Sequence, residues 1–234
     1  LKFFIMDYNF LGNTKILVSK LCFGSLTISP LQANLSIEKG ADVIVMAMDM
    51  GVNFLDTAEF YRNYPYIKHA LKKSNKELII ATKSYAFTYE DMQKSVEKAR
   101  RETGKDVIDI FMLHEQESRL TLQGHREALE YLMEARAKGY IKAIGVSTHT
   151  VEVVNAAAEM NEIDVIHPII NMNGLGIKDG TLQDMERAIK NTYTKGKGIY
   201  GMKCLGGGNL IAIKEKAIDY VLNFPYLHSI AIGM

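Results

Sequence analysis

Four side chains that can exchange protons or carry charge lie at or just after the ends of apolar segments. Asp56, Lys83 and His114 each end a run of apolar residues, and Tyr61 follows Asp56 by five positions. If these runs are parallel strands of one barrel, their carboxyl ends meet at one mouth. An acid, an amine, an imidazole and a phenol gathered there could move a proton to or from a substrate oxygen.

The elements that must position these residues alternate between strand and helix. Strands are predicted at 20–24, 52–56, 78–83, 107–114, 141–147, 165–170, 199–205 and 228–232. Helices are predicted at 37–50, 64–73, 88–103, 121–138, 150–160, 182–193 and 212–223. This alternation is typical of a parallel sheet. Eight strands with polar residues at several ends favour an α/β protein of the (β/α)8, or TIM-barrel, type.

A doubly wound sheet is the alternative architecture for such a pattern. It would place a glycine-rich phosphate turn after its first strand. Here the first strand is followed by Gly24-Ser-Leu-Thr-Ile, which is not that motif. The barrel is therefore the preferred interpretation.

The end of the sequence lacks one expected element. A (β/α)8 barrel has a helix after its eighth strand, but the sequence stops at Met234, directly after that strand. A barrel without this helix would expose apolar surface. We therefore interpret 1–234 as a single barrel domain and expect the chain to continue beyond Met234.

Composition narrows the classes of function. The net charge of +1 gives no general attraction to nucleic acid or to an anionic membrane. No apolar run approaches the roughly 20 residues that span a bilayer. The two cysteines, Cys22 and Cys204, are far apart, which argues for a reducing, cytoplasmic location and against a disulfide framework or zinc site.

The order of motifs resembles that of the aldo-keto reductases, which are NADP(H)-dependent enzymes on a (β/α)8 barrel. Residues 53–61 carry the family's acid and tyrosine spacing, and Lys83 and His114 fall at its other two catalytic positions. The segments 11–14, 145–149 and 205–208 resemble its opening, its strand-five motif and its phosphate loop. The resemblance is closest to bacterial and archaeal members with a C-terminal iron–sulfur module, whose cysteine cluster this sequence lacks.

Chemistry and resemblance assign the same four roles. Reduction of a carbonyl places negative charge on oxygen as hydride reaches carbon, so a donor aimed at that oxygen lowers the barrier. Tyr61 would be the donor, and the Lys83 ammonium would bring its pKa down from about 10 toward working pH. Asp56 would hold Lys83, and His114 would orient the substrate oxygen. The hydride must come from a cofactor.

The resemblance also implies a site for the nicotinamide cofactor along strands five to seven. It places Ser147, Thr148 and Asn171 near the carboxamide and Met202 against the ring face. The pyrophosphate would lie on the loop that contains Leu205, Gly206, Gly207 and Gly208. The basic residues that select NADPH over NADH follow strand eight in this family and would lie beyond Met234. NADP(H) is thus implied by the resemblance alone, and a longer chain is expected to bind it more tightly.

Other interpretations stay open at this point. The fold could serve as a cofactor-binding regulatory subunit with slow turnover. It could also host a lyase or isomerase in which Lys83 forms a Schiff base. The remaining barrel histidines, such as His149 and His167, are expected to be structural or surface residues. A small-molecule carbonyl substrate is implied, but its identity and the oligomeric state are not.

Overall fold

The computed structural model describes residues 6–233 and contains ten strands and eight α-helices within them. The strands are β1 (Tyr8–Phe10), β2 (Leu17–Ser19), β3 (Leu21–Gly24), β4 (Phe54–Asp56), β5 (Ile79–Ser84), β6 (Ile108–Gln116), β7 (Ile141–Thr148), β8 (Val165–Pro168), β9 (Gly198–Gly201) and β10 (Ser229–Gly233). The helices are α1 (Ile37–Asp49), α2 (Tyr64–Lys73), α3 (Tyr89–Thr103), α4 (Arg119–Gly124), α5 (Arg126–Ala137), α6 (Val151–Glu159), α7 (Leu182–Thr194) and α8 (Lys214–Asn223).

Strands β3 to β10 form a closed barrel. Neighbouring strands follow chain order, every pair is parallel, and β10 closes the barrel by pairing with β3. Because the strands are parallel, all eight carboxyl ends open at the same mouth. The predicted (β/α)8 architecture is confirmed.

Local sequence signals explain where several helices begin. The Thr88 hydroxyl accepts a hydrogen bond from the Asp91 amide at the start of α3, and Thr150 and Thr181 cap α6 and α7 in the same way. Gly104, with φ of 76°, ends α3 in the left-handed conformation that glycine tolerates. These caps fix the lengths of the helices that pack around the barrel.

Several predicted elements are shorter or more broken than the pattern indicated; the strand expected at 165–170, for example, ends at Pro168. The helix expected at 121–138 is two helices, α4 and α5, that meet at His125. The strand expected at 199–205 ends at Gly201, because Lys203 adopts φ of 58°, which is outside strand geometry. The helix expected at 212–223 begins at Lys214, after a 3-10 turn over Ile211–Ile213.

An unpredicted hairpin closes the amino-terminal end of the barrel. Strands β1 and β2 pair antiparallel, and Leu11, Ile16 and Val18 are buried against the barrel interior. Leu11 packs so closely on the start of β9 that a Cβ on Gly198 would lie 2.6 Å from Leu11 Cγ. The opposite end, which holds the strand carboxyl termini, is therefore the end available for a ligand.

Two kinds of feature are absent from the described part of the chain. None of the helices within residues 6–233 combines the length and apolar character needed to cross a bilayer. The described histidine, cysteine and acidic side chains form no group of three or more that could hold a metal ion.

Candidate active site

The centre of the barrel mouth is a buried ion pair between neighbouring strands. Lys83 Nζ lies 2.8 Å from both carboxylate oxygens of Asp56 and 2.9 Å from the Thr57 carbonyl oxygen. Lys83 is 2% exposed and Asp56 is 5% exposed. Burial lowers the pKa of Lys83, but the charge of Asp56 and the contact with it raise it more, so the net shift is upward. Lys83 is therefore a cation held by a carboxylate.

Tyr61 reaches this pair from a short 3-10 helix, Glu59–Tyr61, that follows β4. Lys83 Nζ lies 5.2 Å from the centroid of the Tyr61 ring. Glu59 ties the 3-10 helix down, because its carboxylate accepts 2.8 Å hydrogen bonds from both Ser84 on β5 and Ser95 on α3. The tyrosine thus stands on a loop that two barrel elements hold in place.

A second network fixes the other end of the same loop. The Asn63 amide nitrogen donates to the carbonyl oxygen and the hydroxyl of Ser25, and its amide oxygen accepts from the Thr57 hydroxyl at 2.6 Å. Ser25 in turn donates to the Asp56 carbonyl at 2.8 Å. All four residues are at most 5% exposed. Hydrogen bonds therefore anchor the loop that carries the tyrosine at both of its ends.

His114 faces Tyr61 from strand β6. Its ring lies 6.0 Å from the Tyr61 ring, centroid to centroid, and stacks on Tyr85 at 4.1 Å. Burial, reinforced by the charge of Lys83, lowers the pKa of His114 to about 2. The imidazole is therefore neutral near pH 7 and can donate a single hydrogen bond. Its Nδ1 is buried and has no partner within residues 6–233.

The acidity of Tyr61 differs from the prediction. Burial raises its pKa, and although the charge of Lys83 lowers it, as expected, burial and the negative charge of Asp56 outweigh that effect. The net shift is upward from the usual value. Lys83 therefore offsets part of the rise in the pKa of Tyr61, but it does not bring that pKa below the ordinary value of a tyrosine.

Two residues of the site were missed by the sequence analysis. Tyr200 of β9 donates a 2.8 Å hydrogen bond from its hydroxyl to Asp56 Oδ1. His167 of β8, expected to be structural or on the surface, stacks on the Tyr200 ring at 3.8 Å and borders the cavity. The available signal was a polar side chain at an inward position of an otherwise apolar strand, which the alternation of strand faces could have identified.

These side chains line one cavity of about 710 Å³ at the barrel mouth. Its wall includes all four predicted catalytic residues: Asp56, Tyr61, Lys83 and His114. It also includes six of the eight residues predicted to contact cofactor: Ser147, Thr148, Met202, Leu205, Gly207 and Gly208. A cavity of this size is typical of a small-molecule or cofactor site.

The other two predicted cofactor residues, Asn171 and Gly206, do not border the cavity. The side chain of Asn171 organises its own loop, because its amide nitrogen donates to the Leu175 carbonyl and its amide oxygen accepts from the Leu175 amide, both at 2.9 Å. Gly206 is buried, and a Cβ there would lie 2.9 Å from Leu175 Cδ1. Both residues therefore lie in loops next to the cavity and stabilise those loops without bordering the cavity itself.

The hydroxyls expected near the carboxamide already have protein partners. The Ser147 hydroxyl oxygen accepts from the Glu115 amide at 2.8 Å. The Thr148 hydroxyl donates to the Gln116 carbonyl at 2.7 Å and its oxygen accepts from the Thr150 amide at 2.9 Å. Ser147 retains its own hydroxyl hydrogen for a ligand, whereas Thr148 chiefly holds the end of β6 against β7.

The loop predicted to hold the pyrophosphate lies at the edge of the cavity. Gly207 and Gly208 are exposed at the cavity edge and have φ of 65° and 101°. A Cβ on Gly207 would meet nothing within 4 Å, and one on Gly208 would meet only Ile211 Cδ1, at 3.9 Å. The Gly208 amide already donates to the Leu205 carbonyl at 3.0 Å. Because neither glycine has a side chain, a ligand at the cavity edge can approach the backbone closely.

The chain belongs to the aldo/keto reductase family, whose model matches residues 20–221. Enzymes of this family use nicotinamide cofactors for carbonyl reduction. The match spans barrel strands β3 to β9, so it includes each of the four predicted catalytic residues.

Two curated proteins illustrate the similarity. The chain is 28% identical over 151 residues to an aldo-keto reductase of Mycolicibacterium paratuberculosis, covering 59% of this chain and 52% of the relative. It is 24% identical over 212 residues to the L-galactose dehydrogenase of Arabidopsis thaliana, covering 86% and 66%. The chain thus spans between about half and two thirds of the length of these relatives.

Solved structures show the same fold. The holo form of the aldo-keto reductase AKR11C1 from Bacillus halodurans superposes with a TM-score of 0.80 at 19% identity, covering 98% of this chain and 87% of that one. At this level of identity the agreement supports the barrel architecture alone.

Proposed function

We propose that this protein reduces an aldehyde or ketone to the corresponding alcohol with NADPH as cofactor. The observation that carries this proposal is the buried Lys83–Asp56 pair with Tyr61 and His114 beside it in one cavity. The family supports a nicotinamide cofactor in general, and NADPH in particular is our proposal.

Tyr61 is the proton donor in this proposal. A bound nicotinamide cofactor would supply the hydride for the carbonyl carbon. Negative charge would then build on the substrate oxygen. Tyr61 gives its phenolic proton to that oxygen, so one hydride and one proton produce the alcohol. The Lys83 ammonium stabilises the phenolate that Tyr61 becomes.

His114 orients the carbonyl in this scheme. A neutral imidazole can donate a hydrogen bond to the substrate oxygen without adding a competing acid. Its stacking on Tyr85 fixes the plane of the ring. The substrate oxygen is thereby held between the phenol and the imidazole, which favours protonation at one defined position.

The cofactor would lie across the remaining wall of the cavity. Met202 is available to pack on the nicotinamide ring, and Ser147 to contact its carboxamide. The backbone of Gly207 and Gly208 would hold the pyrophosphate. We propose that Leu205 and Gly206 contribute to the cofactor site indirectly, by shaping this loop. Thr148 and Asn171 would contribute by supporting the neighbouring strand ends.

A Schiff-base role for Lys83 finds no support in the geometry. An ammonium group has three hydrogens, and three acceptors lie within 2.9 Å of Lys83 Nζ. The upward shift of its pKa keeps the amine protonated, whereas a Schiff base needs the free amine.

The test is oxidation of NADPH by the purified protein in the presence of a panel of small aldehydes and ketones. We expect steady turnover, and we expect Tyr61→Phe to lower kcat by about 100-fold to 10,000-fold, the usual contribution of a general acid. Tyr193→Phe is the matched control, because Tyr193 is exposed on α7 and does not line the cavity. The control should behave like the parent.

Two results would contradict the proposal. Turnover that survives Tyr61→Phe would remove the assigned proton donor. Bound NADPH that is oxidised once, without steady turnover, would favour a regulatory cofactor-binding role. Parallel assays with NADH would test the proposed cofactor preference.

A further inference from the structure

Tyr200 is a buried tyrosine that contacts the catalytic pair through Asp56. It is 0% exposed and lies on β9, which β10 and β3 separate from β4 in the barrel. Its hydroxyl donates to Asp56 Oδ1 at 2.8 Å and also lies 3.6 Å from Met112 Sδ. Its ring is packed edge-on against Phe54 at 4.9 Å. The hydroxyl therefore has one strong acceptor, the carboxylate.

His167 does not compete for that carboxylate. Its Nδ1 lies 2.6 Å from the Tyr200 carbonyl oxygen, which only accepts, so Nδ1 carries the hydrogen. Burial lowers the pKa of His167 to about 4, so the ring is neutral near pH 7 and Nε2 has no hydrogen. Nε2 lies 3.6 Å from Asp56 Oδ1, beyond hydrogen-bond distance.

Tyr200 is therefore the one uncharged side-chain donor to the Asp56 carboxylate among the described residues. Lys83 supplies the other two contacts, both charged. A hydroxyl that donates to a carboxylate withdraws part of its negative charge and fixes its orientation. In a site shielded from water, such a change is felt strongly by neighbouring ionisable groups.

We propose that Tyr200 is a positioning residue for proton transfer: its hydroxyl holds and partly neutralises Asp56, which leaves the Lys83 charge free to act on Tyr61. This inference rests on the proposed carbonyl reduction for its kinetic consequence. Its electrostatic consequence does not depend on turnover.

The direction of the effect follows from the charges. Without the Tyr200 hydroxyl, Asp56 carries more of its negative charge and draws Lys83 toward itself. Both changes make the Tyr61 phenolate less stable, so the pKa of Tyr61 rises in Tyr200→Phe. We expect a rise of about half a pH unit, a fraction of the one to three units that an adjacent full charge produces.

Four other ionisable groups lie around Tyr61 and Asp56, and the substitution leaves all four in place. Glu115 and His114 face Tyr61 from β6, and Cys22 faces Asp56 from β3. His167 faces Asp56 from β8. Among the described residues, none of the four is hydrogen-bonded to the Tyr200 hydroxyl, and phenylalanine keeps the ring that stacks on His167. The shift is therefore assignable to the lost hydrogen bond.

The kinetic test uses the reverse reaction, alcohol oxidation, in which the Tyr61 phenolate is the base and the rate rises with pH. We expect the rising limb in Tyr200→Phe to move to higher pH by about half a unit, with a matching loss of about threefold at a fixed pH below it. Tyr64→Phe is the matched control. Tyr64 is also fully buried, and its hydroxyl bonds to Thr82 at 2.7 Å instead of to the catalytic pair.

A direct test measures the acidity of position 61 without turnover. A trifluorinated tyrosine, whose phenol is more acidic, is placed at Tyr61 and titrated by its phenolate absorbance or by fluorine NMR. We expect the midpoint to be higher in the Tyr200→Phe background than in the parent, and unchanged in the Tyr64→Phe background.

The outcomes separate this inference from the proposed function. A parent protein without turnover would contradict carbonyl reduction, while a shifted midpoint at position 61 would still support the role of Tyr200. Equal midpoints in the parent and Tyr200→Phe would overturn that role, even if the variant were less stable and slower. A lower midpoint would reverse the argued sign and overturn it as well.

Discussion

The buried pair at the centre of the site makes a strong prediction about stability. In Asp56→Asn, the carboxylate that holds Lys83 becomes a neutral amide, and a nearly inaccessible ammonium is left without its counter-ion. Tyr200 also loses a charged acceptor. Removing one partner of a buried pair costs about 3–5 kcal/mol, because the remaining charge cannot return to water. Asp56→Asn should therefore be among the most destabilising polar substitutions in the barrel.

The expected change is large enough to measure by thermal unfolding. For a domain of this size, each kcal/mol lowers Tm by about 2–4 °C, so Asp56→Asn should lower Tm by roughly 6–20 °C. Asp49→Asn is the matched control, since it breaks an exposed pair with Lys76. Exposed pairs contribute less than about 1 kcal/mol.

A second substitution tests the cause of the loss. In Asp56→Asn combined with Lys83→Met, no buried charge remains, so we expect most of the lost stability to return. A single variant that unfolds no earlier than Asp49→Asn would refute the reasoning. So would a double variant less stable than the single one, because the unpaired ammonium would then not be the source of the loss.

Three further predictions concern other parts of the fold. The unfolded chain takes up a proton at His114 below about pH 6.5, whereas the folded chain does so only near pH 2. The free energy of unfolding should therefore fall as the pH falls, by up to about 1.4 kcal/mol per pH unit. In urea titrations, His114→Gln should flatten this slope. Gly198→Ala should cost about 1–3 kcal/mol by its collision with Leu11, while Gly124→Ala, at an open position, should not lower the urea midpoint. Asn63→Ala should loosen the loop of the catalytic tyrosine and lower kcat by about tenfold to 100-fold; an unchanged kcat in steady-state assays would show that the loop needs no such support.

Structural features that depend on residue patterns local to one stretch of the chain could be predicted from the sequence. The alternation of strand and helix signals identified the (β/α)8 barrel, because each strand and each helix is determined mainly by its own periodicity and caps. The ends of three strands then placed Asp56, Lys83 and His114 at one mouth. Their convergence follows from parallel strands alone, whichever side chains fill the interior.

Details of helix and strand ends were less predictable. The break between α4 and α5 and the early end of β9 depend on single backbone conformations, at His125 and Lys203. The pattern of apolar residues continues through both positions, so periodicity gives no warning there. The hairpin under the barrel was also missed, because its short strands are stabilised by burial of residues such as Leu11 against distant elements.

The sequence by itself determined the family of fold and the types of side chain at the barrel mouth, because both follow from order and spacing along the chain. Only the tertiary structure decided how those side chains are partnered. Tyr200 meets Asp56 across 144 positions of sequence, and Asn171 turns away from the cavity to its own loop. Barrel closure brings such residues together and removes them from water, and that burial decides in which direction the pKa of Tyr61 moves.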